Sequence, residues 1–119
     1  MEYQFTNDKP IYLQLMEMFI IDIVSGELQK GERLESVRDL AIKAKVNPNT
    51  MQKALSELER IGLVRTERTS GRYITEDEDL INAKKNKLVK AEIDKFLVKM
   101  KSMGFEKTEI LKIMDGGEQ

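Results

Sequence analysis

The chain contains no cysteine, no histidine and no tryptophan, and only two of its 119 residues are proline. The lack of cysteine excludes disulfides and zinc–thiolate sites, and the lack of histidine removes the side chain used most often as a general base and a metal ligand. We therefore expect no catalytic residues, no metal site and no cofactor. An enzyme would have to use carboxylates and lysines alone, and Glu57 and Glu59 are more simply interpreted as solvated helix charges.

Long hydrophobic runs are also missing, since Asp22 interrupts the most apolar region, and no segment is expected to span a membrane. The first ten residues lack the basic and apolar parts of a signal peptide, which predicts a cytoplasmic protein. The content of hydrophobic residues, 40%, and of charged residues, 34%, is typical of one folded domain, or of a small domain with an appendage.

Acidic and basic residues nearly balance, with a net charge of −1, but they are unevenly distributed. Between Arg33 and Arg72, nine basic residues against five acidic ones give a local charge of +4. A basic surface on a near-neutral protein suits contact with DNA phosphates and limits non-specific binding.

Three helices are predicted in the first half of the chain. Pro10 and Gly26 delimit the first, Ser36 caps the second, and Asn47, followed by a proline, caps a third that ends at Gly62. Apolar residues recur at helical spacing and are expected to form the core. They are Ile11, Leu15, Phe19, Ile23, Val37, Leu40, Ala41, Met51, Ala54, Leu55, Leu58 and Ile61.

A hairpin follows these helices. Residues 63–67 and 72–75 alternate like strands, with a turn at 68–71, and residues 32–34 predict a short strand beside them. The predicted fold is mostly α with a small β wing, a winged helix-turn-helix in residues 1–76 followed by a two-helix dimerisation tail in residues 77–119. In such domains one helix enters the DNA major groove and the hairpin reaches over the backbone.

The predicted DNA-binding residues lie on the first turns of helices two and three and on the turn of the hairpin. Asn and Gln side chains can bond adenine edges, while Thr, Lys and Arg suit phosphates or mixed contacts. Each group also has a simpler interpretation without DNA. Arg38 could be a solvated surface arginine, the start of the third helix a polar segment without a partner, and residues 68–72 a plain hairpin turn. Arg33 and Lys45 are two further candidates for phosphate contact. The set is Arg38, Asn47, Asn49, Thr50, Gln52, Lys53, Arg68, Thr69, Ser70, Gly71 and Arg72.

The tail predicts a helix from Leu80 to Met103, a stop at Gly104 and a short helix from Glu106 to Met114. Its apolar positions form a seam of coiled-coil spacing, which a single long helix cannot bury, so we expect a homodimer. The plain alternative is ordinary core packing. The predicted dimerisation residues are Val89, Ile93, Phe96, Met100, Met103, Ile110 and Met114.

Residues 10–75 resemble the DNA-binding domain of the GntR family of bacterial transcription regulators. The resemblance rests on Pro10-Ile11-Tyr12, Ser25-Gly26-Glu27-Leu28, Gly31-Glu32-Arg33-Leu34, Ser36-Val37-Arg38-Asp39-Leu40-Ala41 and Ala54-Leu55-x-Glu57-Leu58-x-x-x-Gly62-Leu63-Val64. The short tail is similar to that of the YtrA subfamily, whose members end in two dimerisation helices. The chain departs from the family pattern at Glu35, where proline is usual, at Pro48 and Gln52, where many members have arginine, and at Thr69, where glycine is usual.

The resemblance implies a homodimeric, sequence-specific regulator that binds double-stranded operator DNA and represses its own operon, with transporter genes among the targets of such regulators. A protein–protein interaction module without sequence-specific DNA readout is the alternative. A small-molecule effector of unknown identity, bound between tail and DNA domain, stays open.

Overall fold

The computed structural model describes residues 2–116, and within them the chain forms five helices and one two-stranded antiparallel sheet. This confirms the predicted fold class, a mostly helical winged helix-turn-helix with a small β wing and a helical tail. The elements are α1 (Ile11–Ser25), α2 (Val37–Ala44), α3 (Pro48–Arg60), β1 (Val64–Glu67), β2 (Gly71–Ile74), α4 (Glu78–Ser102) and α5 (Lys107–Met114).

Helix α1 begins one residue later than the sequence predicts. Pro10 has an extended ψ of 144°, so it occupies the N-cap, and its carbonyl accepts hydrogen bonds from the amides of Leu13 and Gln14. Gly26 ends the helix with a left-handed φ of 87°, as predicted.

The caps of α2 and α3 are the predicted ones. The Ser36 hydroxyl accepts a hydrogen bond from the Asp39 amide at 3.1 Å, and the Asn47 side chain accepts one from the Asn49 amide at 2.7 Å. The turn between the two helices passes through Lys45, which adopts a left-handed φ of 57° and directs the chain into α3.

The wing is a hairpin of two four-residue strands, in which Val64 pairs with Ile74 and Glu67 pairs with Gly71. Both strands lie within a residue of the predicted ones. The predicted strand at 32–34 is a single bridge between Arg33 and Tyr73, supported by hydrogen bonds on either side of it. It therefore anchors the chain before α2 to the wing without lengthening the sheet.

Residues up to Lys85 form one compact unit around α3, which lies against α1, α2 and β1. The predicted apolar stripes form its core, with Ile11, Val37 and Ile61 half-buried at the edge. The buried set is Leu15, Phe19, Ile23, Leu34, Leu40, Ala41, Ala44, Met51, Ala54, Leu55, Leu58, Leu63, Val64, Ile74 and Ile81.

Helix α4 begins two residues before its predicted start. The Asp77 side chain accepts a hydrogen bond from the Leu80 amide at 3.1 Å, and Glu78 and Asp79 occupy the first turn, where negative charge is favourable. Residues 77–79, which the predicted helix leaves out, thus form its cap and the beginning of its first turn. Because Ile81 packs into the core of the first unit, the compact units divide within α4, after Lys85, whereas the sequence places the functional boundary at 76/77.

The second unit, from Asn86 onward, contains the rest of α4 and helix α5. The chain leaves α4 through Gly104, which has a left-handed φ of 89°, and Glu106 and Glu109 form a capping box at the start of α5. Ile110 is buried in this unit, with 5% of its surface exposed. Although α4 has 25 residues, no helix in the described part of the chain combines the length and apolar character of a membrane span.

Candidate nucleic-acid interface

The N-terminal turns of α3 present a polar surface to solvent. Asn49, Gln52 and Lys53 are exposed and Thr50 is half-buried, while Met51 between them is fully buried. The helical period produces this arrangement, because the buried positions of α3 share the opposite face. The predicted DNA surface is therefore not covered by its own unit.

Two of the polar side chains near this surface have partners in their own helix. The Asn47 side-chain oxygen is occupied by the cap, so its predicted contact with DNA would have to come from its side-chain NH2 group. The Gln52 amide donates to the Ser56 hydroxyl at 3.1 Å, one turn further along the same face. That bond holds the Gln52 side chain along the helix, and contact with a base edge requires it to exchange partners.

The side chain of Lys53 contacts an aromatic ring. Its Nζ atom lies 4.1 Å from the centroid of the Tyr12 ring, which sits in the first turn of α1. Between these elements is an open groove of about 420 Å³, lined by Pro10, Ile11, Tyr12, Asn49, Thr50 and Lys53. No local sequence pattern connects the start of α1 with α3, so the sequence does not predict this contact.

Arg38 is exposed in the first turn of α2, and within residues 2–116 no carboxylate forms an ion pair with it. Glu35, the acidic residue at a position where the family usually has proline, is paired with Lys43, with 2.6 Å between Lys43 Nζ and Glu35 Oε1. Its charge is therefore partly balanced, and the guanidinium of Arg38 stays available beside it.

The turn of the wing combines free and fixed side chains. Arg68 and Thr69 are exposed at its tip. Ser70 accepts a hydrogen bond from the Tyr73 hydroxyl at 2.9 Å. Gly71 has a φ of 120°, and a Cβ atom there would lie 3.3 Å from Nε of Arg33, so that Arg33 packs on the glycine. These contacts fix the shape of the turn while leaving its tip open.

Arg72 has a structural partner. Its Nε atom lies 3.3 Å from Oε1 of Glu59, and the same carboxylate accepts a hydrogen bond from the Thr66 hydroxyl. Glu59 thus connects α3 to both strands of the wing. The sequence predicts that Glu59 is solvated and that Arg72 contacts DNA. In the structure, Glu59 joins the wing to the helix, and the side chain of Arg72 is only 22% exposed.

The seven predicted dimerisation residues fall into two groups. Six of them are exposed or half-buried within the second unit, whereas Ile110 is already buried there. Four of the six recur along α4 at steps of four, three and four residues, one directly follows that helix, and one is the last residue of α5. The six are Val89, Ile93, Phe96, Met100, Met103 and Met114.

A helix-turn-helix whose second helix exposes a polar N-terminus, followed by a hairpin packed on that helix, defines the winged helix-turn-helix class of DNA-binding proteins. The family model described as "Bacterial regulatory proteins, gntR family" matches residues 11–74, just over half of the chain. The protein belongs to the GntR family of transcription regulators, as its resemblance predicted.

One of two similar relatives extends this match into the tail. The chain is 42% identical to the uncharacterised HTH-type transcriptional regulator YhcF of Bacillus subtilis over 93% of this chain and 92% of that protein. It is 43% identical to the HTH-type transcriptional repressor YtrA of the same organism, over 57% of this chain and 52% of YtrA. The predicted likeness to YtrA is thereby confirmed.

Solved structures agree with the fold. A GntR family transcriptional regulator from Listeria monocytogenes superimposes with a TM-score of 0.86 at 37% identity, covering 96% of this chain and all of that one. The DNA-binding domain of AraR, solved in complex with operator ORX1, shares the fold with a TM-score of 0.57 at 22% identity, over 62% of this chain and 95% of its own.

Proposed function

We propose that the protein is a homodimeric, sequence-specific repressor that binds operator DNA in the cytoplasm, without catalytic activity. The observation that carries this proposal is the exposed polar start of α3, set on a helix whose other face is the centre of the core. A helix held in this way can enter the major groove as a rigid reading surface.

Within this surface the residues have different tasks. Asn49 and Gln52 read base edges, since their amides both donate and accept. Thr50, Lys53 and Arg38 contact phosphates and set the orientation of the helix. Arg68 and Thr69 at the tip of the wing extend the contact to the flanking backbone. Arg72, tied to Glu59, acts by holding the wing in place.

The second unit supplies the dimer. Phe96, Val89 and Ile93 are 39%, 47% and 50% exposed, a large apolar area for a single chain. A second copy of α4 would cover this stripe by coiled-coil packing and would set the distance between two copies of α3. Two half-sites one helical turn or more apart are the expected operator.

Repression is supported by the relative YtrA, which is named a repressor. A dimer that occupies two successive turns of a promoter excludes polymerase from the same DNA. We propose that the operator lies upstream of the protein's own operon, and that transporter genes are among those controlled.

A gel-shift titration with the upstream region tests the proposal. We expect a shift at low salt that weakens steeply as salt rises, because released counterions drive phosphate binding. Arg38→Ala and Lys53→Ala should each weaken the shift, while Arg60→Ala, in the last turn of α3 and paired with Glu57, should not. No shift with any upstream fragment would contradict the proposed function.

The same variants separate DNA readout from the interaction module considered above. If Arg38→Ala and Lys53→Ala leave regulation intact in cells, the surface binds a protein partner, and the proposal that α3 recognises DNA is wrong. If both abolish promoter binding while the oligomeric state persists, the interaction module is wrong.

A further inference from the structure

We propose that Tyr12 is a positioning residue for DNA recognition, which holds the Lys53 ammonium group in place for a phosphate contact. This inference rests on the proposed function, since it assigns a role to the face of α1 that borders the DNA surface. Neither residue needs to contact a base for the effect to appear in operator affinity.

The geometry places the Lys53 ammonium over the face of the Tyr12 ring, 4.1 Å from its centroid. A cation within about 6 Å of an aromatic centroid is attracted by the negative face of the ring. Tyr12 is half-buried and packs against the core, so the ring itself is fixed by α1. The ring therefore defines where the end of a long, exposed side chain lies.

Lys53 differs from Arg65 in its partners, since Arg65 lies over the Tyr73 ring but is also paired with Glu67. Arg65 and Arg72 are paired with carboxylates, as is Lys43 in α2. Within residues 2–116, no ion pair involves Lys53. A carboxylate partner would cancel the charge that a phosphate needs, whereas an aromatic ring orients the ammonium and leaves its full charge available.

The position of the ammonium also fits the contact. The groove of about 420 Å³ beside it is bounded by the first turn of α1 on one side and by Asn49 and Thr50 on the other. A phosphate that follows the start of α3 would run along this groove. Because lysine loses rotamer freedom when it binds, a ring that restricts it beforehand lowers the cost of the contact.

The test uses the full-length protein and a duplex that the wild-type protein selects from a randomised library. Tyr12→Leu should weaken binding about threefold for each protomer and about tenfold for the two-protomer complex, whereas Tyr12→Phe should stay within about twofold of wild type. Lys53→Gln should lower the slope of log affinity against log salt by about one for each protomer, and Tyr12→Leu should leave it nearly unchanged.

A double-mutant cycle separates positioning from a general structural role. If Tyr12 acts through Lys53, Tyr12→Leu has no further effect in the Lys53→Gln background. Equal losses in both backgrounds, a loss with Tyr12→Phe as large as with Tyr12→Leu, or an unchanged affinity for Lys53→Gln would each overturn the proposal. Failure of the wild-type protein to select any duplex would instead overturn the proposed function.

Replacement of Tyr12 by phenylalanine analogues of increasing fluorination provides the second measurement, should Tyr12→Leu fail to fold. These rings keep nearly the same shape while their negative face weakens step by step. We expect operator affinity to fall along the series while the unfolding midpoint stays constant. Constant affinity along the series would contradict the proposal.

Discussion

The two compact units differ in how far their apolar side chains are buried. Of the sixteen buried hydrophobic residues within the described part of the chain, fifteen lie before Asn86, and the other is Ile110. Of the eleven large hydrophobic residues exposed there, eight lie from Val89 onward. The first unit thus covers its own core, while the second leaves apolar surface that includes five of the seven residues predicted to form the dimer. Differences of this kind are typical of a domain that folds alone and a segment that assembles.

The largest expected effect is on the core of the first unit. Leu55 is fully buried at the centre of α3, and Leu55→Ala should lower the free energy of unfolding by about 3 kcal/mol, since it removes buried carbons and leaves a cavity. Val89→Ala, at a position 47% exposed, should change it by less than about 0.5 kcal/mol when the protein is monomeric. Urea unfolding at low protein concentration measures both, and equal losses would remove the distinction between the units.

The next effect concerns assembly. Ile93→Asp places a charge in the middle of the exposed stripe and should convert a dimer into a monomer, with a loss of operator affinity of at least about 100-fold because the two half-sites are no longer linked. The control is Val98→Asp, which is also on α4 and 71% exposed but lies off the stripe. Sedimentation measures the oligomeric state of both variants, and DNA titration measures their operator affinity. A monomeric wild type, or dissociation by both substitutions alike, would contradict the assignment of the stripe.

A smaller effect tests the connection between α3 and the wing. Glu59→Gln weakens the contact with Arg72, and we expect a loss of operator affinity of about threefold as the wing becomes less well positioned. Glu57→Gln is the matched control, because within residues 2–116 Glu57 forms an ion pair only with Arg60 on the same helix. Both substitutions remove one negative charge from the same part of α3. A larger loss of operator affinity with Glu59→Gln would therefore be due to the contact with the wing, whereas equal losses would be due to the charge of the helix.

The smallest effect is on pH dependence. Burial and then the nearby Glu27 raise the pKa of the Asp22 carboxyl above its usual range. Because the pKa is raised in the folded state, the protonated carboxyl favours folding at low pH, and this contribution is lost as the pH rises through the folded-state pKa. Asp22→Asn should therefore give a small gain in stability at pH 7 and none at pH 3. A gain that is equal at both pH values would show that the charge is not the cause.

Much of this architecture could be predicted from the sequence, because its signals are local. Ser36 and Asn47 cap helices through bonds to amides two or three residues away, and Gly26 ends α1 by its own backbone conformation. Apolar spacing likewise identified the buried face of α3. These features need no knowledge of the tertiary structure.

The contacts that the sequence did not reveal are those between distant segments. The hydrogen bonds that Glu59 accepts from Thr66 and Arg72, and the cation–π contact of Lys53 with Tyr12, depend on how α3 packs against the wing and α1. Spacing along a single segment carries no information on them. The predicted start of α4 at Leu80 is two residues late, because apolar spacing does not identify Asp77 as a cap or Glu78 and Asp79 as part of the first turn.

The stoichiometry and footprint of the complex with a duplex selected by the wild-type protein test the central claim most directly. Two protomers per duplex, with two protected half-sites one helical turn or more apart and crosslinks from Asn49 and Gln52 to bases in each, are the predicted result. One protomer per duplex, or crosslinks to DNA only from surfaces away from the start of α3, would contradict the account.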